Sequence, residues 1–176
     1  MRWFKKSASA EAADDKPEGD VRISAVLTPA AIKLNLEARD KEEVFDEMVD
    51  LLVNSGGIKD RDAAIDALRK REALGATGIG NGVALPHGKH TSVPRLVGAL
   101  GISRNGINFG SPDGLPAKII IVLLARTDNP GPHIQALARI SRLMNVDAFR
   151  QAMRSATSPQ QILDAVRAQE ETMGAA

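Results

Sequence analysis

The run KIIIVLLA, residues 118–125, contains the longest apolar stretch of the chain and decides the fold class. A strand that is apolar at every position but the first buries both of its faces, so it is predicted to lie at the centre of a sheet. A second run, LVGALGIS at 96–103, predicts a neighbouring strand. The connection between them contains two strong turn signals, Asn-Gly at 105–106 and Asp-Gly at 113–114.

The residues before these strands predict one short strand and two helices. Apolar and polar residues alternate in AIKLNLEAR at 31–39, which indicates a half-buried strand. Asp40 is predicted to cap the first helix, which ends at the Gly-Gly pair 56–57, and Asp60 or Asp62 to open the second. The predicted buried positions are Val44, Met48, Leu51 and Leu52 in the first helix and Ala64, Ile65, Ala67 and Leu68 in the second.

Further helices are predicted after the central strand. One begins at or near His133, another covers VDAFRQAMRSA at 146–156, and a third follows the start signal Ser-Pro at 158–159. The predicted buried stripe of the first consists of Ile134, Leu137, Ile140, Leu143 and Met144. Together the elements predict an α/β (α+β-like) fold, a single domain in which helices flank a small mixed parallel and antiparallel sheet.

The chain of 176 residues is long enough for one well-buried domain. Residues 1–20 are small, charged and proline-bearing, which predicts a flexible N-terminal tail. The folded domain is expected over 21–171 and a flexible C-terminus over 172–176. Trp3 and Phe4 in the tail are either an incidental exposed pair or an element that docks on a partner or touches a membrane.

The N-terminal sequence also bears on the cellular location. MRWFKK is basic, but it continues into small and charged residues instead of an apolar segment, so it does not resemble a secretory signal. The longest apolar run, at 119–125, is too short to cross a bilayer. The chain is therefore predicted to be cytoplasmic, with no direct membrane insertion.

The composition argues against several functional classes. A formal net charge of +1, with no Tyr, four Phe and one Trp, predicts no binding of nucleic acid. The absence of cysteine excludes a disulfide framework, thiol catalysis and cysteine-ligated zinc.

The segment GATGIGNGVALPHGKH, residues 75–90, carries the candidate site. Its glycines allow a tight curl of the backbone or a close approach to an anion. Val-Ala-Leu at 83–85 predicts a short strand whose end delivers His87, and Pro86 restricts the residue before it to extended conformations. A structural role is the alternative for a lone histidine at a strand end, but this setting favours a functional His87.

Three other motifs fit this segment poorly. GATGIGNG at 75–82 lacks the preceding strand and the following helix of a dinucleotide fingerprint, and no Gly-Lys-Ser/Thr closes a P-loop. His87 and His90 have the spacing of metal ligands, but no carboxylate or thiol cluster lies near them in sequence. His90 is predicted to be a surface residue. The sequence thus predicts neither a metal nor a cofactor.

From residue 71 onwards, the sequence resembles the active-site block of the fructose/mannitol-type IIA components of the bacterial sugar phosphotransferase system. This family includes the nitrogen-regulatory IIA proteins, and its pattern is roughly R-E-x-x-x-x-T-G-I-G-x-G-[IV]-A-[IL]-P-H. The resemblance covers about residues 21–170. The matching positions are Arg71, Glu72, Thr77, Gly78, Ile79, Gly80, Gly82, Val83, Ala84, Leu85, Pro86 and His87.

The resemblance implies a role for several residues. His87 is expected to accept a phosphoryl group, and Arg71 and His133 are expected to line the same pocket. Without the resemblance, Arg71 is equally well explained as a surface ion pair and His133 as a histidine at a helix start. The negative phosphoryl oxygens need hydrogen-bond donors around them. The expected phosphate-binding loop consists of Thr77, Gly78, Gly80, Gly82 and Gly88.

The resemblance also implies the partners. The phosphoryl donor is expected to be a histidine phosphocarrier protein. Because the chain has no cysteine and no room for a IIB domain, the recipient is expected to be a separate IIB protein or a regulatory target protein. A regulatory, nitrogen-type output is favoured, with a IIA component of a sugar transporter as the alternative. The intact Arg71, His87 and His133 argue against a binding module that is never phosphorylated.

Overall fold

The computed structural model describes residues 19–174, which form a six-stranded sheet with helices on both faces. The helices are α1 (Ile23–Val26), α2 (Lys41–Asn54), α3 (Arg61–Ala73), α4 (Pro130–Met144), α5 (Asp147–Ser155) and α6 (Pro159–Gly174), and a 3₁₀ turn spans Pro29–Ala31. The strands are β1 (Ile32–Lys33), β2 (Gly78–Gly80), β3 (Val83–Ala84), β4 (His87–Lys89), β5 (Val97–Ile107) and β6 (Ala117–Ala125). Most of the predicted tail, including Trp3 and Phe4, lies outside the described residues. None of the helices within 19–174 is long and apolar enough to cross a bilayer.

Strand β6 lies at the centre of the sheet, as its composition predicts. The strands follow the order β1-β5-β6-β3-β2, and β4 also pairs with β6. β6 runs antiparallel to β5 but parallel to β3 and β4, so the sheet is mixed. Every residue of β6 except Lys118 is buried. The predicted fold class, a single domain with helices flanking a small mixed sheet, is confirmed.

Alternate side chains of β6 point to opposite faces of the sheet, so they belong to two different hydrophobic cores. Ile120, Val122 and Leu124 belong to the core that packs under α2 and α3. The intervening apolar residues of the strand belong to the second core, which is covered by α1, α4, α5 and α6. The sheet therefore separates α3 from α4, and only the end of the sheet brings residues of both helices together.

The two helices on the first face begin at capping aspartates. Asp40 accepts a hydrogen bond from a first-turn amide of α2 at 2.9 Å. Asp60, and not Asp62, does the same for α3 at 3.0 Å. The predicted buried positions of both helices are confirmed except for Leu51, which is half-buried.

Helix α4 differs from its prediction in two respects. It begins at Pro130, ahead of His133, because proline is accommodated in the first helical turn, where backbone amides have no helical acceptor. The predicted burial of Ile134 is wrong, since this side chain is 60% exposed, and Leu137, also predicted to be buried, is half-buried. The first turn of α4 reaches the rim of a cavity, where no other element covers Ile134.

Three element boundaries also differ from the predictions. β1 is limited to Ile32–Lys33. β5 continues to Ile107, and the Asn-Gly pair at 105–106 forms an irregularity inside the strand, because Gly106 adopts a φ of 77° and the register with β6 shifts there. α6 continues to Gly174, so the C-terminal boundary predicted at 171 falls within a helix.

Candidate functional site

His87 is placed by β4, which packs between the central strand and α3. His87 pairs with Leu123 of β6. Gly88 permits the close approach to α3, because a Cβ at this position would stand 2.9 Å from the carbonyl carbon of Ala67. Arg71 follows Ala67 by one helical turn and lies on the same face of α3. The glycine after His87 therefore brings Arg71 within reach of the imidazole.

The hydrogen bonds of His87 define its tautomer. Nδ1 lies 2.8 Å from the carbonyl oxygen of Leu85, which only accepts, so Nδ1 carries the ring proton. Nε2 lies 3.1 Å from Nε of Arg71, which only donates, so Nε2 presents a lone pair. Burial lowers the pKa of His87, the hydrogen bond to Leu85 opposes this shift, and the charge of Arg71 adds to it. The ring is therefore neutral at neutral pH, with Nε2 as its basic nitrogen.

Arg71 is fixed by contacts on two sides. Besides the bond from Nε to His87, its Nη1 donates to the carbonyl oxygen of Gly75 at 3.0 Å. These contacts within residues 19–174 use two of the five N–H donors of the guanidinium group. The remaining donors are available to an anion in front of His87.

His133, near the start of α4, is the second histidine of the site. Its ring centroid lies 5.4 Å from that of His87, and the side chain is only 2% exposed. Burial, followed by the charge of Lys89 and of His87 when that ring is protonated, lowers the pKa of His133 to about 4. Nδ1 is enclosed without a hydrogen-bond partner among the described residues, which leaves Nε2 as the ring nitrogen that can meet a group in the cavity.

An open cavity of about 390 Å³ lies between α3, β4 and α4. His87, His133 and Arg71 line it together, which is the arrangement that the resemblance implies. Its rim is partly apolar, because Leu74 is 85% exposed and Ile134 is 60% exposed. The other lining residues are Ala67, Lys70, Gly88, Lys89 and Leu137.

The start of the glycine-rich segment is bonded within the protein. Thr77 donates through its amide and its hydroxyl to the carboxylate of Glu72, at 3.4 and 2.5 Å. The amide of Gly78 donates to the carbonyl oxygen of Phe109 at 3.2 Å. These donors already have acceptors inside residues 19–174, and neither residue lines the cavity of His87.

The other glycines expected in a phosphate-binding loop have two different positions. Gly80 ends β2 and Gly82 lies in the turn that leads to β3, with φ angles of 91° and 72° that favour glycine. Gly88 alone among the expected loop residues lines the described cavity. Phosphate binding by the loop therefore stays a prediction, and the geometry assigns Gly88 a packing role on α3.

Sequence reasoning missed part of the cavity wall. Lys70 and Leu74 were not expected there, and Ile134 was expected in the core. The signal lay in the helical spacing, because Ala67 and Arg71 lie on one face of α3 and Leu74, the residue that caps α3, continues this spacing.

His90 is separate from the site. Its Nδ1 lies 2.8 Å from the hydroxyl of Ser92, and His90 does not line the cavity of His87. Within the part of the chain that the structure describes, no three side chains of His, Asp or Glu come together as metal ligands do.

Comparison with known proteins gives concordant results. Residues 25–169 match the family described as the phosphoenolpyruvate-dependent sugar phosphotransferase system, EIIA 2. The fructose-specific EIIABC component of Bacillus subtilis is 38% identical over 146 residues, which are 83% of this chain but only 23% of that protein. The fructose-specific EIIA component of Haloferax volcanii is 34% identical over 82% of this chain and 95% of that protein. The crystal structure of nitrogen regulatory protein IIA-Ntr from Neisseria meningitidis superposes with a TM-score of 0.76 at 29% identity, covering 82% of this chain and 98% of that one.

Proposed function

The chain belongs to the EIIA type 2 family of the phosphoenolpyruvate-dependent sugar phosphotransferase system, and on this premise we propose that it carries a phosphoryl group on Nε2 of His87. One observation carries the proposal. The Leu85 carbonyl holds the ring proton on Nδ1, so the lone pair of a neutral imidazole is on Nε2 beside an open cavity. An unprotonated ring nitrogen is the form of histidine that attacks phosphorus.

The transfer is an in-line displacement between two imidazoles. The lone pair of Nε2 forms the new N–P bond while the N–P bond of the donor breaks, and that electron pair returns to the donor's ring. The ring of His87 gains positive charge in this step, which the Leu85 carbonyl stabilises through the Nδ1–H bond. Arg71 moves its hydrogen bond from Nε2 to a phosphoryl oxygen as the bond forms.

Two side chains face the negative charge of the phosphoryl group. Arg71 supplies a permanent cation and further N–H donors. His133 supplies a neutral Nε2–H, because its lowered pKa keeps the ring uncharged at neutral pH. A neutral donor stabilises the phosphoryl oxygens without giving up its own proton.

The rim of the cavity supports protein partners. Leu74 and Ile134 are exposed apolar side chains on opposite sides of the opening. Exposed apolar groups around a polar centre are typical of a protein-binding surface. We infer that a histidine phosphocarrier protein docks there as the donor, and we place the exchange in the cytoplasm.

Two uses of the phosphoryl group each have one supporting observation. The fructose-specific relatives, at 38% and 34% identity, support delivery to the cysteine of a IIB protein during sugar transport. The likeness to nitrogen regulatory protein IIA-Ntr, at a TM-score of 0.76, supports a regulatory output in which phosphorylation changes the choice of partner.

Phosphoryl acceptance is tested with phosphoenolpyruvate, enzyme I and the histidine phosphocarrier protein. We expect acid-labile label on the wild-type chain and on His90→Ala, and none on His87→Ala. His90→Ala is the matched control, because His90 lies outside the cavity. Absence of label on the wild type, or label that survives in His87→Ala, contradicts the proposal.

The output is tested with the labelled protein. Transfer of the label to a cysteine-containing IIB domain of the fructose type supports transport. Retention of the label, together with a change in the proteins bound before and after phosphorylation, supports regulation.

A further inference from the structure

Glu72, which the mechanism above does not use, is the centre of a hydrogen-bonded cluster beside the cavity. Its side chain is 11% exposed. Oε2 accepts the Thr77 hydroxyl at 2.5 Å, and Oε1 accepts the Thr77 amide at 3.4 Å and Nζ of Lys41 at 2.7 Å. The carboxylate therefore ties the start of α2 and the last turn of α3 to the beginning of the glycine-rich segment.

The segment that Glu72 holds leads directly to Nδ1 of His87. The carbonyl oxygen of Thr77 accepts the amide of Leu85 at 2.9 Å. The carbonyl oxygen of Leu85 in turn accepts the Nδ1 proton of His87 at 2.8 Å. The position of the oxygen that selects the tautomer thus depends on Thr77, and Thr77 is held by Glu72.

The same segment also supports the contact to Nε2. Gly75, two residues before Thr77, accepts Nη1 of Arg71 through its carbonyl oxygen at 3.0 Å. This contact orients the guanidinium group whose Nε donates to Nε2 of His87 at 3.1 Å. Both groups that bond the ring nitrogens of His87 are therefore themselves hydrogen-bonded to carbonyl oxygens within residues 75–77.

The charge of Glu72 argues against a direct role in binding the phosphoryl group. A carboxylate repels phosphoryl oxygens, and the charge of Glu72 acts to raise the pKa of His87. Lys41 balances this charge from 2.7 Å and is itself placed over the ring of Phe109, with Nζ 5.7 Å from the centroid. Glu72 is thus suited to hold its neighbours in place, with its charge balanced by Lys41.

We propose that Glu72 is a positioning residue, which holds Thr77 in place and thereby keeps His87 in the Nδ1–H tautomer. Its effect on phosphoryl transfer rests on the function proposed above. The tautomer, however, is a property of the unphosphorylated protein and is measured without any transfer.

The chain offers a matched control at Glu47. This carboxylate is 16% exposed and accepts Nζ of Lys33 at 2.5 Å as well as the amides of Glu37 and Ala38. It reproduces the chemistry of the Glu72 cluster on the same face of the sheet, but it binds Lys33 and the amides of residues 37–38 where Glu72 binds Thr77. Comparing Glu47→Ala with Glu72→Ala therefore separates the general effect of losing a buried carboxylate from the specific effect of losing the contact to Thr77.

The decisive measurement is the ¹⁵N–¹H spectrum of the imidazole rings. We expect a single Nδ1–H tautomer of His87 in the wild type and in Glu47→Ala, and a measurable share of the Nε2–H tautomer in Glu72→Ala and Thr77→Val. Thr77→Val removes only the hydroxyl donor, so it decides the question if Glu72→Ala does not fold. A wild-type tautomer in the folded variants overturns the proposal.

The rate of phosphoryl uptake gives a second readout. We expect Glu72→Ala to lower kcat about 100-fold with little change in KM for the donor, because the docking rim is intact. Glu72→Gln keeps an acceptor oxygen for the Thr77 hydroxyl and is expected to restore most of the tautomer and of kcat. Equal kcat values for Glu72→Ala and Glu47→Ala overturn the positioning role. If the wild type takes up no label at all, the proposed function fails. The tautomer of His87, measured in the unphosphorylated variants, still decides whether Glu72 is a positioning residue.

Discussion

The two helices that face each other across the His87 cavity form different walls. On the α3 wall, Arg71 and Glu72 are fixed by hydrogen bonds within the protein. On the α4 wall, His133 has an enclosed Nδ1 without a partner in the described structure, and Ile134 beside it is exposed. The comparison indicates that the α3 wall is held in place by bonds within the protein, whereas, under the proposed function, the α4 wall gains its polar partner only when the phosphoryl group enters the cavity.

The difference has an electrostatic side as well. The α3 wall places a permanent cation beside Nε2, and its position is set by the close packing of Gly88 on the same helix. The α4 wall has a histidine that stays neutral because burial lowers its pKa to about 4. Changes at Arg71 should therefore act on the rate of transfer, changes at His133 on the pH dependence, and changes at the apolar rim of either wall on docking.

The largest effect is expected from Arg71→Gln on the α3 wall. Gln has no charge and does not reproduce the paired N–H donors of guanidinium, so phosphoryl uptake should slow by about 100- to 1000-fold. Lys70→Gln is the matched control, because Lys70 lines the same cavity but is paired with Asp66 at 2.7 Å. Similar rates for the two variants would show that Arg71 acts only through the general positive charge of the rim.

A pH-dependent loss of stability is expected from His133 on the α4 wall. Its pKa of about 4 in the folded protein is below that of the unfolded chain, so the unfolded chain binds the proton first as the pH falls. Its contribution is complete above about pH 6.5 and is lost towards pH 4, by about 3 kcal/mol. Urea unfolding should show a smaller loss between pH 7 and 4.5 for His133→Gln than for the wild type. Parallel pH profiles would mean that His133 is not buried as a neutral ring.

A smaller effect is expected where β4 meets the α3 wall. In Gly88→Ala the new methyl group meets the backbone of Ala67 at 2.9 Å, which should lower the free energy of unfolding by about 1–3 kcal/mol. Because the strand must move away from α3, the Arg71–His87 contact should lengthen and phosphoryl uptake should slow. Gly101→Ala is the control, since its Cβ meets only the side chain of Leu36, at 2.6 Å. Equal uptake rates in the two variants at matched stability would contradict this role of Gly88.

The sequence predicted those parts of the fold that depend on local periodicity. The apolar run at 118–125, the capping aspartates of α2 and α3, and the alternation of helices and strands are local signals, and the structure confirms each of them. The Asn-Gly pair at 105–106 led to the wrong prediction of a turn between two strands. A bulge inside a long strand favours the same residues as a turn.

The site was only partly predictable, for a tertiary reason. His87 stands out because a strand end, a proline and several glycines surround it in the sequence. The packing of β4 on Ala67 and the bond from Thr77 to Glu72 arise only when distant elements meet. Ile134 has the spacing of a core residue, and only the end of the sheet, which leaves it uncovered, explains its exposure.

The smallest effect is expected where the two walls resemble each other, at the apolar rim. Leu74 on α3 and Ile134 on α4 are both largely exposed, so replacing either by Ser should leave the free energy of unfolding nearly unchanged. If the phosphocarrier protein docks across both, each replacement should raise KM for the donor several-fold, about 1 kcal/mol of binding, with kcat preserved. Leu115→Ser is the matched control, because Leu115 is 53% exposed but lies outside the cavity rim. An effect at Leu74 without one at Ile134 would restrict docking to the α3 side, so that the α4 wall would meet the phosphoryl group but not its carrier.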